Sequence, residues 1–264
     1  MDTSSTSGSR TKPALFEYAY IRKIEDTLRE LASLAMNESW EYHHTPFDKP
    51  LPILYSYLLH TFHRIKDEQK ILEIERYSCF NTGLVTENQQ EIFMLFKKGE
   101  RGWYFVEFCK ESDGNMSRFS NLPEQAQYFT DPSELIFDDR LPLRLNIDHI
   151  IEDQDNFERF PEMIKSLPKL QLVNTFNGAI QHANKRVKRS YKTAIPQFYR
   201  GYNVPHGQIQ LLIPLCLTDP TKADLALAVC KEDGFYSGRT CLTLDMAINN
   251  ARLIAKPDDE WLRP

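Results

Sequence analysis

Apolar residues recur at three- and four-residue steps from Leu15 to Met36, where Leu15, Tyr18, Ile21, Ile24, Leu28, Leu31 and Leu34 are separated by charges. That spacing predicts an amphipathic helix. A loop through Trp40, His43, His44, Pro46, Pro50 and Pro52 follows, and Ile53, Tyr57, Leu58, Thr61, Phe62, Ile65 and Ile71 predict a second helix. From Ile74 the pattern changes to aromatic-rich runs, Tyr77–Leu84, Glu91–Phe96 and Trp103–Phe108, divided by polar turns such as Lys98-Gly99-Glu100-Arg101-Gly102. They predict an antiparallel meander. Between Ser112 and Pro168 the chain is loop-rich and follows neither period. Helical spacing returns at Leu170, Val173, Phe176, Ile180, Ala183, Val187, Tyr191 and Ala194, and Pro196 is expected to stop that helix. Two apolar runs, Ile209–Leu217 and Ala223–Cys230, read as buried strands joined by the turn Thr218–Thr221. The stretch Thr240–Ile254 reads as strand, Thr cap and helix.

Helices before and between groups of strands predict an α+β fold. The expected architecture is a mostly antiparallel, aromatic-rich sheet with an N-terminal helical pair, a long basic helix and a C-terminal strand–helix unit. Residues 1–13, rich in Ser, Thr and Gly, read as a disordered tail, and residues 14–264 as a single composite domain.

Charge and cysteine usage narrow the setting. A net charge of -5 argues against general coating of nucleic acid but leaves room for a local basic patch. Cys79, Cys109, Cys216, Cys230 and Cys241 lie far apart among apolar neighbours, without CxxC spacing, and are expected to be buried reduced thiols. No run of about 18 apolar residues predicts a membrane span, and the first residues do not look like a signal peptide, so a cytoplasmic protein without a membrane partner is expected. His60 and His63 share a helix face but lack further ligands, so no metal is expected; nothing specifies a cofactor.

Three groups of residues carry candidate chemistry. On the C-terminal helix Asp245, Asn249 and Arg252 fall at i, i+4 and i+7, which puts an acceptor, an amide and a guanidinium on one face, with Asn250 beside them. Asp245 or His149 is the candidate proton acceptor, Arg252 the candidate charge stabiliser, and Asn249 and Asn250 candidate ligand contacts. The bland alternative is an internal network of the same groups. Asn81, Thr82 and Gly83 offer an amide, a hydroxyl and a backbone position open to positive φ; they serve either a ligand or a strand-ending turn. Lys185, Arg186, Lys188, Arg189 and Lys192 set five cations within eight residues of the long helix. They read as a phosphate-binding surface or as cations favoured at a helix C-terminus. Lys231-Glu232-Asp233-Gly234 has the spacing of a nucleotidyltransferase lysine motif, but too little chain follows for the accompanying motifs, and it is read as a hairpin turn.

Taken together, Phe80-Asn81-Thr82-Gly83-Leu84, Pro196-Gln197-Phe198-Tyr199, Gln210–Leu217 and Leu242–Ile254 resemble blocks of an uncharacterised, mainly bacterial domain family. That family is often found behind cold-shock-like or LOTUS-type RNA-binding modules. The matching blocks run from about Leu54 to Pro264; residues 1–50 do not resemble the companion module. The resemblance implies a setting in RNA or nucleotide metabolism and transfers no activity. The expectation is therefore a protein that acts on or binds RNA or a nucleotide, with Asp245, Asn249 and Arg252 turned toward Asn81 and Thr82; if it is an enzyme, its chemistry is expected on a phosphoester or nucleotide. The alternative is a non-catalytic module whose basic helix docks RNA or a protein partner.

Overall fold

The computed structural model describes residues 12–43, 47–201, 204–257 and 260–262. Most of the tail expected at residues 1–13, and His44 and Pro46 of the Pro-rich loop, lie outside the described residues. The chain divides into two compact units, Met1–Glu38 with Lys49–Ala126, and Ser39–Asp48 with Gln127–Pro264.

In the first unit α1 (Ala14–Tyr18), β1 (Ala19–Tyr20), α2 (Ile24–Leu34) and α3 (Pro52–Asp67) precede β2 (Leu72–Ile74), β3 (Tyr77–Val85), β4 (Glu91–Gly99) and β5 (Gly102–Lys110). The sheet runs β1-β5-β4-β3-β2, with β1 parallel to β5 and the other pairs antiparallel. The helix expected from Leu15 to Met36 is therefore broken. Ala19 and Tyr20 leave helical geometry to pair with Trp103 and Tyr104. The preceding Tyr18 is held by ring contacts with Phe62, Phe96 and Trp103 and by its hydroxyl's bond to Glu73. Local helical preference of about 0.7 kcal/mol per residue or less yields to such tertiary contacts. Elsewhere the pattern holds: α3 begins with Pro52 in its first turn and buries Ile53, Leu54, Leu58, Phe62 and Ile65.

The second unit contains β6 (Leu143–Leu145), the short helices α4 (Ile147–Glu152), α5 (Gln154–Arg159) and α6 (Glu162–Lys165), the long α7 (Lys169–Arg189), and then β7 (Ile195–Gly201), β8 (Val204–Leu215), β9 (Leu225–Glu232), β10 (Phe235–Leu242) and α8 (Leu244–Arg252). Its sheet runs β6-β10-β9-β8-β7, again with one parallel edge, β6 on β10. The protein is α+β as expected, but where one sheet was anticipated there are two. Aromatics build the first and aliphatics the second.

Alternation gives the second sheet two distinct faces. Leu211, Ile213, Leu215, Leu225, Leu227 and Val229 share a core with Leu172, Phe176, Ala179, Ala183 and Val187 of α7 and with Ile150 and Ile151 of α4. The opposite face carries Ile195 across from Leu212 and Gln197 across from Gln210, and it meets α8 through a bond from Asn250 to Gln197. In the loop-rich segment one side chain organises the edge of β10. The buried Asn156 amide donates to the Arg239 carbonyl at 2.8 Å and accepts from the Cys241 N–H at 2.9 Å, replacing a strand neighbour just past the β10 bulge. Arg159 takes the Cys241 carbonyl at 2.8 Å. All five cysteines are free thiols, with Cys79, Cys109 and Cys241 buried.

Candidate functional site

The strand–cap–helix reading of the C-terminal stretch holds in detail. Thr243 is the N-cap of α8, its hydroxyl accepting from the Met246 N–H, and Leu244, Ala247, Ile248 and Ala251 are buried. The polar residues do not behave as a solvated face. Asp245 is only 4% exposed, and neither carboxylate oxygen has a hydrogen-bond partner among the described residues. The Asn249 Oδ1 one turn later is likewise buried and without a donor among the described residues, while its Nδ2 donates to the Tyr42 hydroxyl. Burial pushes the Tyr42 phenol above its usual pKa; the Asn249 bond opposes that shift and the nearby Asp245 charge adds to it. The Arg252 guanidinium sits 5.1 Å from the centre of the Trp40 ring, a cation–π contact. Trp40, Tyr42, Asp245, Asn249 and Arg252 thus form one cluster in the second unit.

Asn250 turns the other way, into the sheet. It donates to Gln197 at 3.0 Å, Gln197 donates to Gln210 at 2.8 Å, and Gln210 donates to the Cys230 sulfur at 3.1 Å. Its amide nitrogen is thereby committed to a structural chain. A carboxylate removed from water without donors costs several kcal/mol, and folds keep such groups mainly where function asks for them. Asp245 is the sharpest violation of that kind in the cluster.

His149 does not join it. It is exposed on α4, whose Ile150 and Ile151 pack on the α7 face of the sheet, opposite the face that carries α8. Its backbone N–H is capped by Asn146, which makes Asp148-His149 a helix start.

Asn81, Thr82 and Gly83 belong to the first unit and form a bulge where the β3–β4 register shifts. The Asn81 amide donates to the Pro123 carbonyl and accepts from the Gly83 N–H; the Thr82 hydroxyl donates to the Ile92 carbonyl and accepts from the Leu84 N–H. Gly83 has φ +74°, and a Cβ there would lie 2.6 Å from the Tyr57 hydroxyl oxygen. The side-chain polar atoms of Asn81 and Thr82 are therefore taken up by their own strand, by β4 and by the Pro123 carbonyl.

The basic run occupies the last turns of α7 and the 3₁₀ turn Tyr191–Thr193 that leads into β7. The helix stops at Arg189, short of Ala194, because Ser190 is already extended. Lys185, Lys188, Arg189 and Lys192 are exposed and take no ion-pair partner among the described residues, whereas Arg186 is half-buried with its guanidinium 3.7 Å from the Cys216 sulfur. Beside this end of α7 lies an open cleft of about 250 Å³, lined by Leu135, Ile136, Tyr191, Lys192, Ala251 and Lys256 among others. Tyr191 is 62% exposed and Ile136 52%.

Sequence reasoning did not anticipate Trp40 and Tyr42, which come from the Pro-rich loop some two hundred positions before α8, nor Asn156. The helical period places Tyr191 on the apolar face, whereas the ring stands exposed within the cation run.

Comparison with known proteins adds one match. The model of a family described as a domain of unknown function (DUF3825) matches residues 31–261. No curated protein and no solved structure matches the chain.

Proposed function

The chain belongs to that family of domains of unknown function, and from its own residues we propose a cytoplasmic RNA- or nucleotide-binding protein whose phosphate contacts come from Lys185, Lys188, Arg189 and Lys192, with Arg186 adding charge behind them. One observation carries the reading: four exposed cations without acidic partners among the described residues, gathered at one helix end of a chain with net charge -5. The helix macrodipole accounts for a cation or two in the last turn, worth about 0.3–1 kcal/mol each. It does not account for a cluster that continues beyond the helix to Lys192. In an acidic protein such a concentration of unneutralised charge fits a polyanion.

Affinity for RNA across a salt series tests this. Four phosphate contacts on a single strand give a slope of about -3 in log K against log salt, at about -0.7 per contact. Changing Lys185, Lys188, Arg189 and Lys192 to Ala is expected to abolish binding while leaving the melting curve in place. Absence of any RNA or nucleotide binding at about 50 mM salt refutes the proposal.

The buried, unpartnered Asp245 favours a second reading, in which the protein is an enzyme on a phosphoester or nucleotide. Asp245 then accepts a proton and Arg252, held against Trp40, stabilises developing charge. His149, on the other face of the sheet, is left out. An Asp245→Asn variant that keeps RNA or nucleotide affinity but loses turnover of the bound substrate supports this reading. Unchanged turnover removes it.

A further inference from the structure

The cations explain attraction to phosphate; they do not explain why large apolar side chains stand uncovered beside them. We propose that the cleft next to the basic end of α7 receives one unstacked base of single-stranded RNA, with Tyr191 as its stacking platform, so that the surface selects single strands over duplexes. The inference rests on the polyanion reading above and deepens it by naming the form of nucleic acid.

Three observations converge. Tyr191 and Ile136 are 62% and 52% exposed, yet both line the same concavity, together with Leu135 and Ala251, instead of being scattered over the surface. Lys192 and Lys256, both exposed, line it too, and Lys188 and Arg189 stand three and two residues before Tyr191, with only Ser190 between Arg189 and the ring, so the cation run leads to the apolar floor. At about 250 Å³ the cleft is smaller than the roughly 300–1,000 Å³ typical of drug-sized ligand sites, which suits a single flat ring system. An apolar floor beside positive charge is complementary to a nucleotide with its base flat against the protein and its phosphate at the rim. A duplex keeps its bases stacked inside and presents mainly its backbone, so it can use the lysines and Arg189 but not the cleft. Nothing in the cleft's lining supplies a fixed pattern of buried donors and acceptors for a base edge. Sequence-tolerant stacking is therefore expected, not readout of one base.

The test uses the full chain and fluorescence anisotropy with a short labelled oligoadenylate and a duplex RNA of the same length. Loss of one stacked base corresponds to about 5- to 150-fold in affinity. Tyr191→Ala is expected to weaken oligoadenylate binding within that range and to leave duplex binding unchanged, while Tyr191→Phe, which keeps the ring, behaves as the parent. Ile136→Ser narrows the apolar floor without touching the 3₁₀ turn and is expected to weaken the single strand alone. It also provides the reading should Tyr191→Ala lower the melting temperature. Equal affinity for both RNAs, with no effect of Tyr191→Ala or Ile136→Ser, overturns the cleft assignment while phosphate binding stands. If neither RNA binds, the polyanion reading itself falls and the cleft with it.

Discussion

Replacing Asp245 with Asn should make the protein more stable. Among the described residues Asp245 enters the interior with two acceptor oxygens and no donor, and the Asn249 Oδ1 one turn on also lacks one. Residues four apart on a helix are neighbours at about 5–6 Å between Cβ atoms, so an amide at 245 brings a donor within reach of Asn249. Removing a buried carboxylate that takes no hydrogen-bond donor recovers several kcal/mol in the limit, and leaving an amide imperfectly bonded returns about 1–3 kcal/mol of that. The net expectation is a gain of about 2 kcal/mol, which for a unit of this size raises the melting temperature by about 4–8 °C. Urea unfolding at neutral pH, paired with a thermal melt, measures it. Asp245→Leu should also gain, because it removes the unmet acceptors altogether. The reasoning fails if both variants lose more than about 1 kcal/mol, since Asp245 would then be making a favourable contact in solution.

Other outcomes follow from single contacts. Asn156→Ala strips the donor from the Arg239 carbonyl and the acceptor from the Cys241 N–H, and a loss of about 2–6 kcal/mol in urea unfolding is expected for two backbone groups left unmet at about 1–3 kcal/mol each; a loss under about 0.5 kcal/mol would mean that water replaces the amide. Gly83→Ala combines a φ of +74° with a Cβ 2.6 Å from the Tyr57 hydroxyl oxygen, and should cost more than about 1 kcal/mol, part of it recovered on adding Tyr57→Phe. Burial raises the Cys79, Cys109 and Cys241 thiols to about 12 from an ordinary value near 9. The unfolded chain therefore ionises first, and stability should fall as pH rises from about 9 to about 12, a dependence that substitution of these thiols by Ala should flatten. In the folded protein these three should resist a thiol reagent at pH 8 until denaturant is added.

The sequence was informative where burial is repetitive. The apolar period of α3, the aromatic-rich runs of β3, β4 and β5, the Thr243 cap and the hairpin at Asp233-Gly234 are local signals, and each appears near its expected place. The helix from Leu15 failed at Ala19 because its competitor, the edge of β5, lies over eighty residues away. The stretch from Ser112 to Pro168 followed no period because its short helices are anchored singly, Asn156 on β10 being the example. For the candidate site, sequence spacing put Asp245, Asn249 and Arg252 on one face and could not say that the face would be covered. Trp40 and Tyr42 carry no local mark of their association with α8. Asn250, one residue from Asn249, points into the sheet because a helix turns about 100° per residue, a distinction that composition alone does not draw.

The strap Ser39–Asp48 belongs to the second unit although its flanks on either side belong to the first, so the chain passes between the units three times. No single cut separates them. A fragment starting at Gln127 would contain α8 but neither Trp40 nor Tyr42, stranding Arg252 without its ring and Asn249 without its hydroxyl. Truncations therefore have to carry both halves or neither. During synthesis, too, α8 has to emerge before Trp40 and Tyr42 can meet Arg252 and Asn249, so this cluster closes across some two hundred residues of chain.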